Sequence, residues 1–233
     1  MKRGVFIETY EDTNIQFLYD FKITNAYFIE KDEPKLYKIY ELLKLFDGVM
    51  YHTVKAQQHF IENFKLYSKA NEKEFNYLVE ATYHLNYCIR NISTLDDIMN
   101  RIIVEIYLYM IPTARLKSRK SDYIKDYYYS TILKDELIEI KLPAVGKINR
   151  NTKNTRHIAT HNGITFIVEN VIEENGMSAF YGFDSSIIKE KQTKTLNKYR
   201  RYIYKDLEKA KISIIQIKKV LFPILDEVDR RYF

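Results

Sequence analysis

Apolar side chains recur at steps of three and four residues along most of this chain, the spacing that places them on one face of an α-helix. The first such segment starts at Pro34, because proline fits the first turn of a helix, and Gly48 leaves open one long helix or two. The next segment can be capped by Asn71. A later segment is predicted to begin at Ser93 or Thr94, whose side chains can cap a helix, and to kink or end at Pro112. The apolar positions of these segments are Leu36, Ile39, Tyr40, Leu43, Phe46, Met50, Val54, Ile61, Phe64, Tyr67, Phe75, Leu78, Val79, Leu85, Ile89, Ile98, Ile102, Ile106, Tyr109 and Met110.

Three further helical segments are predicted in the second half of the chain. One spans Asp122–Pro143, and the next runs from about Ala144 to Thr160. Asn162-Gly163 ends it, because glycine tolerates the left-handed conformation in which helices often stop. The last segment is capped by Asp184-Ser185-Ser186 and is predicted to break at Pro223. Its apolar positions are Leu196, Tyr199, Ile203, Leu207, Ala210, Ile214, Ile217 and Leu221.

A stretch of different composition lies before the last helix. Residues 164–168 are β-branched and aromatic, Glu174-Asn175-Gly176 is typical of a turn, and residues 178–183 match a returning strand. The sequence therefore predicts an all-α fold, an antiparallel up-and-down helical bundle with a small β-hairpin inserted near residues 164–183. Because the 233 residues contain neither a repeat nor a low-complexity linker, we expect a single helical domain over residues 1–233.

Composition narrows the class of protein. Only 6 Gly and 4 Pro argue against disorder and against a turn-rich β fold. The single cysteine, Cys88, excludes an internal disulfide and a cysteine-based metal cluster, which favours a reducing compartment. No apolar stretch approaches the roughly 20 residues that span a bilayer, and the apolar run at the N-terminus ends at Glu8, unlike a signal peptide. We therefore expect a soluble cytoplasmic protein that does not associate with membranes.

Positive charge is concentrated in one segment. The whole chain has a net charge of +6, and residues 141–168 carry no acidic side chain and a local charge of +5. Short polar side chains such as Asn154 lie between the cations, and this combination suits phosphate groups. The alternative is a solvated basic face balanced by neighbouring acids such as Asp135 and Glu139. A second basic cluster, Lys189 to Arg201, is interpreted as the exposed side of the last helix.

An arginine and a histidine close this basic segment. Arg156 and His161 are separated by four residues, at the end of the predicted helix. Cleavage of RNA by its own 2′-hydroxyl needs a proton acceptor, a proton donor and stabilisation of a phosphorane with extra negative charge. Histidine exchanges protons near pH 7, and arginine offers a fixed fork of donors to phosphate oxygens without losing its charge. This pair can therefore act on RNA without a metal.

The segment is similar to the HEPN superfamily (higher eukaryotes and prokaryotes nucleotide-binding domains). Its motif is Arg, four to six residues and His, usually with Asn, Asp or His directly after the Arg; His157 occupies that position here. The resemblance implies a helical bundle that acts on RNA as a homodimer, often as a metal-independent endoribonuclease of toxin–antitoxin or defence systems. It implies no cofactor, and possible antitoxin or defence-complex partners. The residues it implicates are Arg156, His161 and His157 in catalysis, and Lys147, Arg150, Lys153 and Asn154 in RNA binding.

Two other classes of function stay open. Some members of the superfamily have lost activity and serve as RNA-binding or protein-interaction modules, and a structural helical protein with a coincidental motif is the third hypothesis. The chain also departs from the family in two ways. Gly163 stands where some members carry Tyr two residues after the His, and 70 residues follow Gly163, whereas in simple members the motif lies near the last helix of the bundle.

The remaining candidates favour packing roles. His157 and His161 lie four residues apart, a spacing that zinc sites use, but no Glu follows His157 and no third ligand is evident, so we expect no metal. The tyrosine run at residues 127–129 could stack on bases, yet at helical spacing such residues more often fill a core. Cys88, His59 and His84 lie on predicted helices and are expected to pack or face solvent.

Overall fold

The computed structural model describes residues 26–69, 75–110 and 185–232, which are helical almost throughout. No strand occurs within these three ranges, so the prediction of an all-α protein is confirmed for this part of the chain. Among the helices described, none has a stretch that is both long and apolar enough to cross a membrane. The helices are α1 (Ala26–Asp32), α2 (Pro34–Lys69), α3 (Phe75–Met110) and α4 (Ser185–Arg230).

Several predicted elements lie outside the described residues. They are the helices Asp122–Pro143 and Ala144–Thr160, the β-hairpin near 164–183 and the tyrosine run at 127–129. These elements, and the single-domain boundary of 1–233, stay predictions.

Helices α2 and α3 run antiparallel to each other. Near the beginning of α2, the Lys38 ammonium lies 2.5 Å from the Glu105 carboxylate, which is close to the end of α3. In the middle of both helices, the Cys88 thiol lies 3.5 Å from the carbonyl oxygen of Thr53. Because residue numbers rise along one helix as they fall along the other, the two long helices form an antiparallel pair.

Helix α4 packs against this pair and runs parallel to α3. The Tyr67 hydroxyl, near the end of α2, hydrogen-bonds to the side chain of Gln192 near the beginning of α4. The Lys218 ammonium, in the second half of α4, contacts the carboxylate of Asp47 in the first half of α2. The three long helices therefore form an antiparallel bundle in which α2 opposes both neighbours.

The core is built from the apolar faces of these helices. On α2 the predicted positions are buried or half-buried, as the 3.6-residue period requires. Burial of each large apolar side chain stabilises the fold by about 1.5–3 kcal/mol, so the stripes supply most of the driving force for helix packing. The buried positions with no exposed surface include Leu36, Ile39, Phe46, Phe60, Leu85, Ile102, Leu196, Ile203, Leu207 and Leu221.

Local helix signals are overridden at two places. Gly48 lies inside the continuous helix α2, and Ser93 and Thr94 lie inside α3, so the predicted helix start at Ser93 or Thr94 is wrong. The neighbours of Ser93 on the core face, Ile92 and Leu95, are fully buried. The apolar stripe continues through the candidate cap, because side-chain packing along α3 outweighs the modest preference of serine for a helix end.

The predicted break at Pro223 is also wrong. Helix α4 continues through Pro223 to Arg230, although an internal proline removes one backbone hydrogen bond and costs about 3 kcal/mol. Pro223 itself is exposed, while Leu221 and Leu225 on either side are fully buried. Burial of these leucines and their neighbours offsets the cost of the proline. A smaller error concerns Val79 and Met110, which their spacing assigned to the core but which are each 37% exposed.

Candidate functional site

The residues singled out by the sequence motif all lie in one segment. This segment falls outside the described residues, so their arrangement in space stays a prediction. Between the described helices the structure brings together three other groups of polar side chains, none of which the sequence analysis singled out as a pair. The predicted catalytic residues in this segment are Arg156, His157 and His161, and the predicted RNA-binding residues are Lys147, Arg150, Lys153 and Asn154.

A buried ion pair joins α2 to α4. The Lys218 ammonium donates to a carboxylate oxygen of Asp47 at 2.5 Å, and the two side chains are only 3% and 9% exposed. The same ammonium lies 6.0 Å from the centre of the Phe222 ring. Burial raises the pKa of Asp47 above its ordinary value, and the attraction of Lys218 offsets this only in part. The bundle interior therefore disfavours the carboxylate even with a cation in contact.

A second polar contact joins the same two helices at the other end of α2. The Tyr67 hydroxyl donates to the side-chain oxygen of Gln192, and both residues are buried. The ammonium of Lys189 lies 5.5 Å from the centre of the Tyr67 ring. Burial raises the pKa of Tyr67. Together with the ion pair, this hydrogen bond fixes the register of α4 along α2, because sliding either helix would leave buried polar groups unsatisfied.

A pair of imidazoles joins α2 to α3. The rings of His59 and His84 lie 5.1 Å apart between centroids and are tilted by 30°. A carboxylate of the same helix lies near each of them, Glu62 at 3.6 Å from His59 and Glu80 at 3.8 Å from His84. Within the described residues, no three potential metal ligands converge. Partial burial, with the proximity of His59, lowers the pKa of His84 below the ordinary 6.5.

This shift predicts a loss of stability on acidification. Because the folded state binds a proton at His84 less readily than the unfolded state, stability falls as the pH drops from 6.5 through the lowered pKa. The midpoint of urea unfolding, compared at about pH 7.5 and about pH 5.5, should fall less in His84→Gln than in the native protein. His52→Gln, at an exposed position, is the control and should behave as the native protein. An identical pH dependence in native protein and His84→Gln would contradict the assignment.

The sequence carried a weak signal for the buried ion pair. Lys218 directly follows Ile217 and lies four residues after Ile214, so it occupies the border of the apolar stripe rather than the opposite face. Asp47 follows Phe46 in the same way on α2. A charged residue at the border of a stripe either extends its charge into solvent or enters the core with a partner, and the stripe itself distinguishes neither outcome and identifies no partner.

Comparisons of this chain with family models, with curated proteins and with solved structures found no match.

Proposed function

We propose that this protein is a metal-independent endoribonuclease of the HEPN type, in which Arg156 and His161 form the reactive pair. The observation that carries the proposal is the acid-free segment 141–168, with a local charge of +5, that contains the motif from Arg156 to His161. The all-helical character of the described residues agrees with the helical bundle of that superfamily. The role follows the family: a toxin or defence protein that acts on RNA.

Each residue of the motif has a distinct part in the proposed reaction. The 2′-oxygen attacks the adjacent phosphorus, its proton passes to a base, and the bond to the 5′-oxygen breaks as that oxygen gains a proton. His161 serves as the general acid or base in these transfers. The guanidinium of Arg156 holds the scissile phosphate and stabilises the charge that builds up on it. His157 orients the phosphate or the partner subunit, and Lys147, Arg150, Lys153 and Asn154 bind flanking RNA.

The spacing of the pair leads to a proposed homodimer. At 100° per residue, Arg156 and His161 are about 140° apart around a regular helix, and they do not share a face. Either the last turn unwinds at Asn162-Gly163, or Arg156 of one subunit faces His161 of another. A two-fold dimer in which both motif helices line one cleft satisfies the second arrangement. We adopt the dimer because the family resemblance implies it.

The second candidate function is that of a non-catalytic module with the same proposed fold, which binds without cleaving RNA. Gly163 stands where some members of the superfamily carry a tyrosine, and this departure favours a non-catalytic module that binds RNA or a protein partner. In this case the same basic segment binds RNA while no product is formed. The two candidates therefore differ in cleavage and not in binding.

The test is an RNA-cleavage assay in the presence of EDTA. The purified protein should cleave single-stranded RNA under these conditions, because neither proposed group needs a metal. An oligonucleotide with 2′-deoxy sugars throughout should remain intact, since it lacks the attacking oxygen. Binding without cleavage of RNA would support the non-catalytic module, and cleavage of the deoxy substrate would contradict the mechanism. Light scattering of the same sample should report a dimer, and a strict monomer would contradict the shared cleft.

A further inference from the structure

The outward face of the first half of α4 carries a continuous row of cations, which we call the basic stripe. It consists of Lys194, Lys198, Arg201 and Lys205, all of them exposed. Steps of four, three and four residues place the four side chains within about 60° of one another around the helix. At about 1.5 Å per residue the stripe extends over roughly 16 Å along the axis. The four cations therefore form a linear array of positive charge along the helix.

Acidic residues do little to neutralise this surface. From Lys189 to Lys205 there are seven basic side chains and one acidic side chain, a net charge of +6. The acid, Glu190, pairs with Lys194 at 2.6 Å, at one end of the stripe. Beyond the other end, Glu208 faces Lys211 at 4.0 Å. The central part of the stripe therefore projects positive potential into solvent.

Aromatic side chains accompany the cations. The ammonium of Lys198 lies 5.9 Å from the centre of the Tyr202 ring, and that ring meets Tyr199 edge-on at 6.0 Å. Tyr204 is 41% exposed beside Arg201 and Lys205. Cations that follow a phosphate backbone, together with aromatic rings on which unpaired bases stack, are the two elements by which proteins bind single-stranded nucleic acid.

The opposite face of α4 argues against a lipid partner. An interfacial helix buries its apolar face among acyl chains, but the apolar face of α4 is fully buried in the bundle at Leu196, Ile203 and Leu207. A protein partner fits less well too, because stable protein interfaces surround an apolar centre and the stripe has none. A linear polyanion matches both the charge and the shape of this surface.

We propose that the basic stripe binds the sugar–phosphate backbone of single-stranded RNA. The choice of RNA over DNA rests on the proposed function, whereas the binding of a phosphate backbone rests on the stripe alone. In the sequence the stripe lies outside the basic segment 141–168 that contains the reactive pair. Its cations contact phosphate groups and not bases, so it adds affinity for RNA of any sequence.

The test compares two variants with the same loss of charge. The stripe variant combines Lys198→Gln, Arg201→Gln and Lys205→Gln. The control combines Lys31→Gln, Lys44→Gln and Arg101→Gln, which are exposed and lie toward the other end of the bundle, where Asp47 meets Lys218. The probe is a short single-stranded RNA with 2′-O-methyl sugars, which the proposed mechanism cannot cleave. Affinity is measured by fluorescence anisotropy over a series of salt concentrations.

The stripe variant should lose roughly tenfold or more in affinity at low salt, and the slope of log K against log salt should shrink by roughly 2, about 0.7 per lost contact. The control should lose much less, because its cations lie away from the strand. Lys198→Arg/Arg201→Lys/Lys205→Arg, which keeps the charge, should bind as the native protein does. All variants should retain the native melting temperature, since the replaced side chains are exposed.

Three results would overturn the proposal: equal losses in stripe and control variants, no binding of the methylated RNA by native protein, or stripe-dependent binding of anionic lipid vesicles instead of RNA. The arms also separate this proposal from the nuclease. Stripe-dependent binding without cleavage of ordinary RNA would refute the nuclease and leave the stripe intact. Cleavage of ordinary RNA by the native protein, with unchanged binding of the methylated probe by the stripe variant, would refute the stripe proposal and leave the nuclease proposal intact.

Discussion

Replacing Lys218 with methionine should lower the free energy of unfolding by about 3–5 kcal/mol, the range expected when one partner of a buried ion pair is removed. The substitution keeps most of the side-chain volume but leaves the carboxylate of Asp47 in the interior without the cation that contacts it at 2.5 Å. Lys219→Met is the matched control, since it makes the same chemical change at the next residue, which is exposed. It should alter stability by no more than about 0.5 kcal/mol. Urea unfolding measures both.

A double variant separates lost attraction from stranded charge. Asp47→Leu/Lys218→Met removes both charges, and its stability should lie close to that of the native protein, because an apolar pair avoids the cost of burying two ions. A double variant with near-native stability would show that the loss in Lys218→Met comes from the buried carboxylate that is left without a cation. If Lys218→Met costs no more than Lys219→Met, the pair is not important to stability.

The same variant should show a distinctive dependence on pH. Burial already raises the pKa of Asp47, and removal of Lys218 takes away the two interactions that lower it. Above this raised pKa the folded state holds a carboxylate that the unfolded state solvates freely, so the full penalty is present. The deficit of Lys218→Met should therefore shrink as the pH falls through the raised pKa towards the ordinary value of 3.8. A deficit that grows in the same range would contradict the assignment.

Replacing His161 with alanine should lower the rate of RNA cleavage by roughly 10²- to 10⁴-fold, the usual contribution of a general acid or base. The melting temperature should remain that of the native protein, which separates a chemical effect from unfolding. His52→Ala is the matched control, because His52 is exposed and has no part in the proposed mechanism. Equal cleavage by His161→Ala and the native protein would place the activity elsewhere or in a contaminant.

Mixing two inactive variants tests the shared cleft. If Arg156 of one subunit acts with His161 of the other, a mixed dimer of Arg156→Ala and His161→Ala keeps one intact Arg156–His161 pair in the shared cleft. Unfolding and refolding the two variants together should therefore restore part of the activity. If the pair acts within one subunit, each subunit lacks one group and the mixture stays inactive. Each variant refolded alone is the control.

Much of the described fold could be predicted because helical periodicity is a local property. The recurrence from Leu36 to Phe46 and from Leu196 to Leu221 places apolar side chains on one face whatever the partner helix is, and the structure buries these positions, Tyr199 only in part. The errors at Ser93 and Pro223 have a common cause. Caps and prolines act through one or two hydrogen bonds, whereas a packed stripe gains from many buried side chains at once.

The candidate sites also differ in how far local patterns could predict them. The basic cluster on α4 was interpreted as an exposed face, and the structure confirms exposed cations at Lys194, Lys198 and Arg201. The pairing of Arg156 with His161 stays a prediction, because these residues lie outside the described ranges. The buried ion pair was missed, since neither Asp47 nor Lys218 is near the other in the sequence.

By itself the sequence determined the helical class, most of the buried face of the three long helices and the concentration of positive charge, because each depends on residues within a few turns of one another. Only the tertiary structure decided how the faces meet. It placed Lys218 against Asp47, 171 residues away, Gln192 against Tyr67, and His84 against His59. A buried charge or hydroxyl requires a partner, but its identity depends on which helices pack together and in which register, and no local pattern contains that information.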